Sequence, residues 1–243
     1  MPATHPLVSA AQKLRRGVNA LSFGPPVAFV YNPLDYAFEP HREYLERFGS
    51  GAKRIVFFGM NPGPWGMTQT GIPFGEVAAA RDWMRIVSRP KSPEKQHPKR
   101  PIEGYACARS EVSGRRLWGL FAERFDKPKN FFREHFVANY CPLVFLEDTG
   151  RNRTPDKLPV AESQPLTRLC DAHLRAVVES LEPEWVVGVG QFAEKRARTV
   201  LEALPNPPQV GTILHPSPAS PAANRDWAGA ATRQMIDLGL WKA

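Results

Sequence analysis

Arg54-Ile55-Val56-Phe57-Phe58, running directly into Gly59-Met60-Asn61-Pro62-Gly63-Pro64-Trp65-Gly66, is the stretch that decides the fold. An unbroken apolar run bounded by turn residues reads as a strand covered on both faces, the pattern of a parallel sheet. The loop behind it is stiffened by proline and glycine. Such loops at the carboxyl ends of strands are where open α/β sheets bind ligands. Three more runs have the same character, at 135–140, 185–189 and 209–214. The last leads into His215-Pro216-Ser217-Pro218, a second polar loop placed as the first is. Asn61 and His215 therefore form a candidate pair.

Helical periodicity fills the intervals, over 5–21, 40–49, 76–88, 114–125, 165–181, 190–204 and 221–238. Pro165 and Pro221 suit the first turns of their helices. Strands alternating with helices predict right-handed crossovers, hence an α/β fold: a three-layer α/β/α sandwich around a central, mainly parallel four-stranded sheet. Residues 89–113 and 146–163, rich in Pro, Lys, Arg, Ser and Thr, predict long surface loops, which in a compact domain are functional or disordered. No linker or repeat divides the chain, so one domain over 1–243 is expected.

A length of 243 residues with 42% hydrophobic content supports a sizeable core. No apolar run approaches the roughly 20 residues of a membrane span. The N-terminal Met1-Pro2-Ala3-Thr4-His5-Pro6 lacks the apolar stretch of a signal peptide, which predicts a cytoplasmic location. Cys107, Cys141 and Cys170 are scattered and odd in number, so neither a disulfide framework nor an iron–sulfur site is expected from them. The net charge of +8 favours a polyanionic partner, nucleic acid first and an acidic membrane surface second. Basic residues gather at Lys91, Lys95, Lys99 and Arg100, and again at Arg109, Arg115 and Arg116. Solvated loops on a basic protein account for such clusters equally well.

The glycine-rich loop is not a phosphate loop. It has no GxGxxG and no Gly-Lys-Ser/Thr ending, and Pro62 and Pro64 remove backbone donors. Nor does the chain carry the Gly-x-Ser-x-Gly elbow of an α/β hydrolase.

The stretch from Gly59 to Val77, with Thr70-Gly71-Ile72-Pro73-Phe74-Gly75 at its centre, closely resembles the first motif of the single-strand-selective monofunctional uracil-DNA glycosylases. His215-Pro216-Ser217-Pro218, followed by Ala223-Asn224-Arg225 and Trp227, resembles that family's second motif, and Asn139-Tyr140-Cys141-Pro142-Leu143 its uracil-reading strand end. The motifs occur in the family's order over most of the chain. The resemblance implies a monomeric enzyme of base-excision repair that acts on DNA with neither metal nor cofactor. Asn61 would position the water that attacks C1′, and His215 would donate a hydrogen bond to uracil O2. Phe74 would stack on the flipped base and Asn139 would read its Watson–Crick edge. Met60 and Gly63 would wall the pocket near C5, with room at Gly63 for substrates such as 5-hydroxymethyluracil. Ser217, Pro218, Ala219 and Arg225 would lie against the DNA.

Elementary chemistry supports these roles. Breaking an N-glycosidic bond leaves negative charge on the departing base, and a fixed donor at its oxygen stabilises the transition state more than the ground state. An amide reads uracil because its carbonyl accepts N3–H while its NH₂ donates to O4; cytosine inverts both partners. Lysine is absent from all three motifs, which disfavours a Schiff-base lyase. One departure stands out. The family commonly has an arginine after His-Pro-Ser-Pro to wedge the duplex, and here Ala219 and Ser220 follow. That substitution predicts a preference for single-stranded or mispaired uracil. The alternative reading is a protein that binds uracil or damaged DNA without cutting.

Overall fold

The computed structural model describes residues 5–242. Residues 1–4, part of the stretch read above for a targeting signal, lie outside the described residues. In chain order the elements are α1 (Pro6–Asn19), β1 (Phe29–Tyr31), α2 (Pro33–Tyr36), α3 (Phe38–Phe48), β2 (Ile55–Gly59) and α4 (Met67–Thr70). They continue with α5 (Val112–Phe125), α6 (Pro128–Phe132), β3 (His135–Asn139), β4 (Val144–Leu146), β5 (Asn152–Arg153) and α7 (Val160–Leu181). Last come β6 (Trp185–Val189), α8 (Gln191–Leu201), β7 (Gln209–Ile213) and α9 (Pro221–Asp237).

The four apolar runs form one parallel sheet in the order β3-β2-β6-β7, as the sequence predicts. From β2 the chain steps one way to β3 through α5, then back across to β6 through α7 and on to β7 through α8. Right-handed crossovers therefore put α5 on one face and α7 and α8 on the other. The reversal of direction beside β2 makes the carboxyl ends of β2 and its neighbours the natural ligand crevice. Both faces of β2 are sealed, with Ile55, Val56, Phe57 and Phe58 fully buried. Beneath β2 and β3, Phe57, Trp118, Phe121 and Phe131 pack ring on ring: Phe121 and Phe131 stack with centroids 4.4 Å apart, and the Trp118 indole meets both edge-on at 5.7 and 5.8 Å. Truncating any one of these to alanine costs about 3–5 kcal/mol.

Three expectations need correction. Residues 76–88 do not form a regular helix; only a π-helical turn survives at Ala79–Trp83. Arg85 is left-handed (φ 54°), which stops propagation. The Met84 and Arg85 carbonyls accept from Arg47, and the Val87 and Ser88 amides donate to Glu43, so α3 supplies what a helix would have. In α7, Pro165 sits inside the helix, which begins five residues earlier, behind Pro159. Finally, 146–163 is not one loop. β4 and β5 form an antiparallel ribbon that β1 completes to a small second sheet, too short in each strand to leave a pattern in the sequence. All three cysteines are buried and free. Among the described residues no helix is long and apolar enough to cross a membrane.

Candidate active site

At the carboxyl ends of β2, β3 and β7 lies a cavity of about 480 Å³. Met60, Asn61, Gly63, Phe74, Asn139, His215, Ser217 and Pro218 all line it. Two further residues singled out from the sequence do not: Ala219 and Arg225 are solvent-exposed outside the cavity wall.

The floor is built by strand register. Gly59 and Asn139 are paired residues at the ends of β2 and β3. A Cβ on Gly59 would come within 2.5 Å of both Asn139 Oδ1 and the Phe74 ring, so only glycine admits these two side chains together. The Asn139 amide is buried and its Nδ2 donates to Met67 Sδ at 3.4 Å. Phe74 adopts a left-handed backbone (φ 53°), rare for a large residue and the kind of strain that concentrates at functional sites. It is held there because Gly114 of α5 lets the Phe74 carbonyl pass where a Cβ would collide, and because the Trp118 indole donates to the Pro73 carbonyl at 3.2 Å.

The loop from Gly63 to Gly75 is fixed almost carbonyl by carbonyl. Thr68 Oγ1 donates to Gly63 O, Gln69 Nε2 to Pro64 O, Tyr36 Oη to Thr68 O, His41 Nδ1 to Gly71 O and Thr70 Oγ1 to Gly75 O. Gln69 Oε1 also accepts from the Glu103 and Gly104 amides, tying the loop to the 89–113 segment. Asn61 Nδ2 donates to the Leu143 carbonyl at 3.1 Å and to Pro62 O at 3.3 Å. With its NH₂ thus occupied, the Asn61 amide presents its Oδ1 as an acceptor.

His215 is set by its own loop. Pro216 has no amide hydrogen, and the Ser217 N–H donates to His215 Nδ1 at 3.1 Å. An accepting Nδ1 assigns the ring proton of the neutral imidazole to Nε2. Burial lowers the His215 pKa below 6.5, which keeps the ring neutral near pH 7. Arg116 of α5 donates to the Pro216 and Ser217 carbonyls and to Asn224 Oδ1, while Asn224 Nδ2 donates to Pro218 O. The Phe74 and His215 rings lie 6.4 Å apart, centroid to centroid.

Ser110, Glu111, Ser113, Asn152 and Thr154 complete the wall. All five come from the two stretches expected to be long loops or from the helix that follows one of them, and loop length was the only signal in the sequence that pointed to them. Glu111 caps α5 by accepting from the Ser113 N–H, and burial raises its pKa. Its Oε2 would stand 3.6 Å from a Cβ placed on Gly63, which is ordinary contact, so the wall at Gly63 is open by about one methyl group.

The chain is similar to characterised proteins over nearly its whole length. A profile of the uracil DNA glycosylase superfamily matches residues 46–235. The single-strand selective monofunctional uracil-DNA glycosylase of Rattus norvegicus is 50% identical over 228 residues, 94% of this chain and 82% of that protein. Its counterparts in Mus musculus and Bos taurus are 48% and 47% identical, over 94% of this chain and 82% and 84% of their own lengths. The crystal structure of SMUG2 from Pedobacter heparinus shares the fold with a TM-score of 0.63 at 16% identity, covering 95% of each chain. Matched by the superfamily profile over most of its length and 47–50% identical to these relatives over 94% of it, the chain belongs to the single-strand selective monofunctional uracil-DNA glycosylases of the uracil DNA glycosylase superfamily.

Proposed function

We propose that this protein hydrolyses the N-glycosidic bond of uracil in DNA, leaving an abasic site for base-excision repair. One observation carries the reading. Asn61 and His215, distant in sequence, line one cavity with Phe74 and Asn139, and each presents the group the reaction needs. The target atom is out of reach within a duplex, so the base is extruded into the cavity. Phe74 stacks on its face. The Asn139 carbonyl accepts N3–H and its NH₂ donates to O4, leaving the Met67 thioether, a weak acceptor that is lost at small cost.

His215 Nε2–H donates to O2 as the glycosidic bond lengthens. A neutral donor suits this step, because the charge arises on the base and not before it. Asn61 Oδ1 accepts from a water and aims it at C1′. An amide does not ionise near neutrality, so it orients the nucleophile without acting as a strong base, and leaving-group stabilisation carries the larger share. Space at Gly63 admits a small substituent at C5, which supports 5-hydroxymethyluracil as a second substrate. Because Ala219 replaces a wedging arginine, single-stranded and mispaired uracil are favoured over a stacked pair. The enzyme acts as a monomer and a single domain.

The decisive experiment is release of uracil from an oligonucleotide, scored by cleavage at the resulting abasic site. Native protein cuts; His215→Ala lowers kcat by about 10²–10³-fold, the usual loss for one such donor, and Asn61→Ala also lowers it. A native protein that binds the oligonucleotide and leaves no abasic site is a binding protein, and the proposal fails.

A further inference from the structure

Trp65 lines the cavity mouth, and two arginines from the 89–113 segment lie over its ring. The guanidinium carbon of Arg100 is 5.2 Å from the ring centroid and that of Arg109 is 4.9 Å. Arg100 is steadied by backbone, donating through Nε to Gly150 O at 2.9 Å and through Nη1 to Lys99 O. Among the described residues neither guanidinium meets a carboxylate, and the Arg109 head group has no hydrogen-bond partner at all. Two neighbouring arginines are committed elsewhere, Arg116 to the His215 loop and Arg153 to Glu147.

Two like charges gathered on one ring repel, and among the described residues no carboxylate is close enough to pair with either. The indole face attracts each by about 0.5–2 kcal/mol and restricts two long side chains to one small area. That arrangement is poor as a stabilising device and good as a preset anion site. A planar guanidinium offers paired donors that match a phosphate. The geometry points to the Arg100–Trp65–Arg109 cluster as a clamp for backbone phosphate of the DNA strand beside the flipped nucleotide. The inference rests on the excision reading for the identity of that strand. Its electrostatics stand on their own. By gripping one strand at the mouth, the clamp supplies affinity that does not depend on a partner strand, as a protein lacking the wedging arginine needs.

The test is the salt dependence of binding to a single-stranded oligonucleotide carrying 2′-fluoro-2′-deoxyuridine, read by fluorescence anisotropy. Its fluorine resists the charge that builds on the sugar, so binding is measured without turnover. Arg100→Gln and Arg109→Gln each flatten the slope of log affinity against log salt by about 0.7, and the double variant by about twice that. Arg133→Gln, which removes an equal charge next to β3's opposite end, leaves the native slope. Trp65→Ala keeps both charges, so it weakens binding while the slope persists. A double variant with the native slope overturns the clamp. Excision by the native protein is assayed in parallel. Excision with an unchanged slope sinks the clamp alone, and a flattened slope without excision sinks the glycosylase reading alone.

Discussion

Arg116 holds a loop to which it does not belong. Its guanidinium spans two carbonyls and an amide of the His215 motif, so the direction of the imidazole is set partly from α5. Arg116→Ala frees the loop without touching the base. Displacing a catalytic group by about 1 Å can cost about 10²-fold in rate. We expect kcat to fall by about 10–100-fold, with KM little changed. A loosened Ser217 N–H also releases Nδ1 to take a proton, so the acid limb of the rate profile moves up in pH, a shift that simple loss of stability would not produce. Arg116→Lys, which keeps the charge but donates from a single nitrogen, recovers part of the rate. Gly63 gives a second prediction at this scale. The present gap accepts about one extra methyl group before Glu111 is met, so Gly63→Ala retains uracil excision but Gly63→Tyr fills the C5 side. Competition between uracil and 5-hydroxymethyluracil oligonucleotides checks it: Tyr lowers the 5-hydroxymethyluracil rate more than the uracil rate, and an unchanged ratio removes Gly63 from substrate choice.

At the scale of elements, the loop behind β2 is rigid because side chains from elsewhere take up its carbonyls. Gln69 is the clearest case: fully buried, it donates to Pro64 O and Pro101 O and accepts from the Glu103 and Gly104 amides. Gln69→Leu keeps the volume and orphans these groups at about 1–3 kcal/mol each where they stay buried. The variant should melt well below the native protein and lose activity at temperatures where it is still folded, because the 89–113 segment comes away from the loop. A thermal melt paired with an excision assay measures both. Three of the four parallel strands were readable because each is a largely buried run of five residues ending in a turn, and the half-exposed edge strand β7 because its β-branched residues run into the His215 loop. The pairing of Asn61 with His215 was readable because both follow such strands. What the sequence did not announce depends on distant partners. Residues 76–88 have helical periodicity, but Arg47 and Glu43 of α3 capture their backbone, and strands of two or three residues carry no period at all. Trp65, Glu111 and Asn152 join the cavity wall only through that folding of loops onto β2.

Across the whole molecule, the layers around the sheet enclose three histidines that do no chemistry. His41 is buried and His173 half-buried between the helices of one face, and His135 begins β3 among the rings of Phe57, Phe125 and Phe131. Burial lowers each pKa to about 4 from 6.5, so all three are neutral in the folded protein at pH 7. Since the folded values lie below the unfolded one, the unfolded chain takes up protons first as pH falls. The stability these groups confer is complete above pH 6.5, declines between 6.5 and about 4, and does not change further below that. By pH 5 each contributes about 2 kcal/mol less, at about 1.4 kcal/mol per pH unit. His41 adds a functional edge, since its Nδ1 holds the Gly71 carbonyl just ahead of Phe74. Denaturant titrations from pH 7.5 to 4.5 should show unfolding free energy falling steeply below 6.5, and His173→Leu should make the fall shallower by about one proton. A native curve that stays level across that window would mean that the three rings are already charged inside the fold, or reach water there.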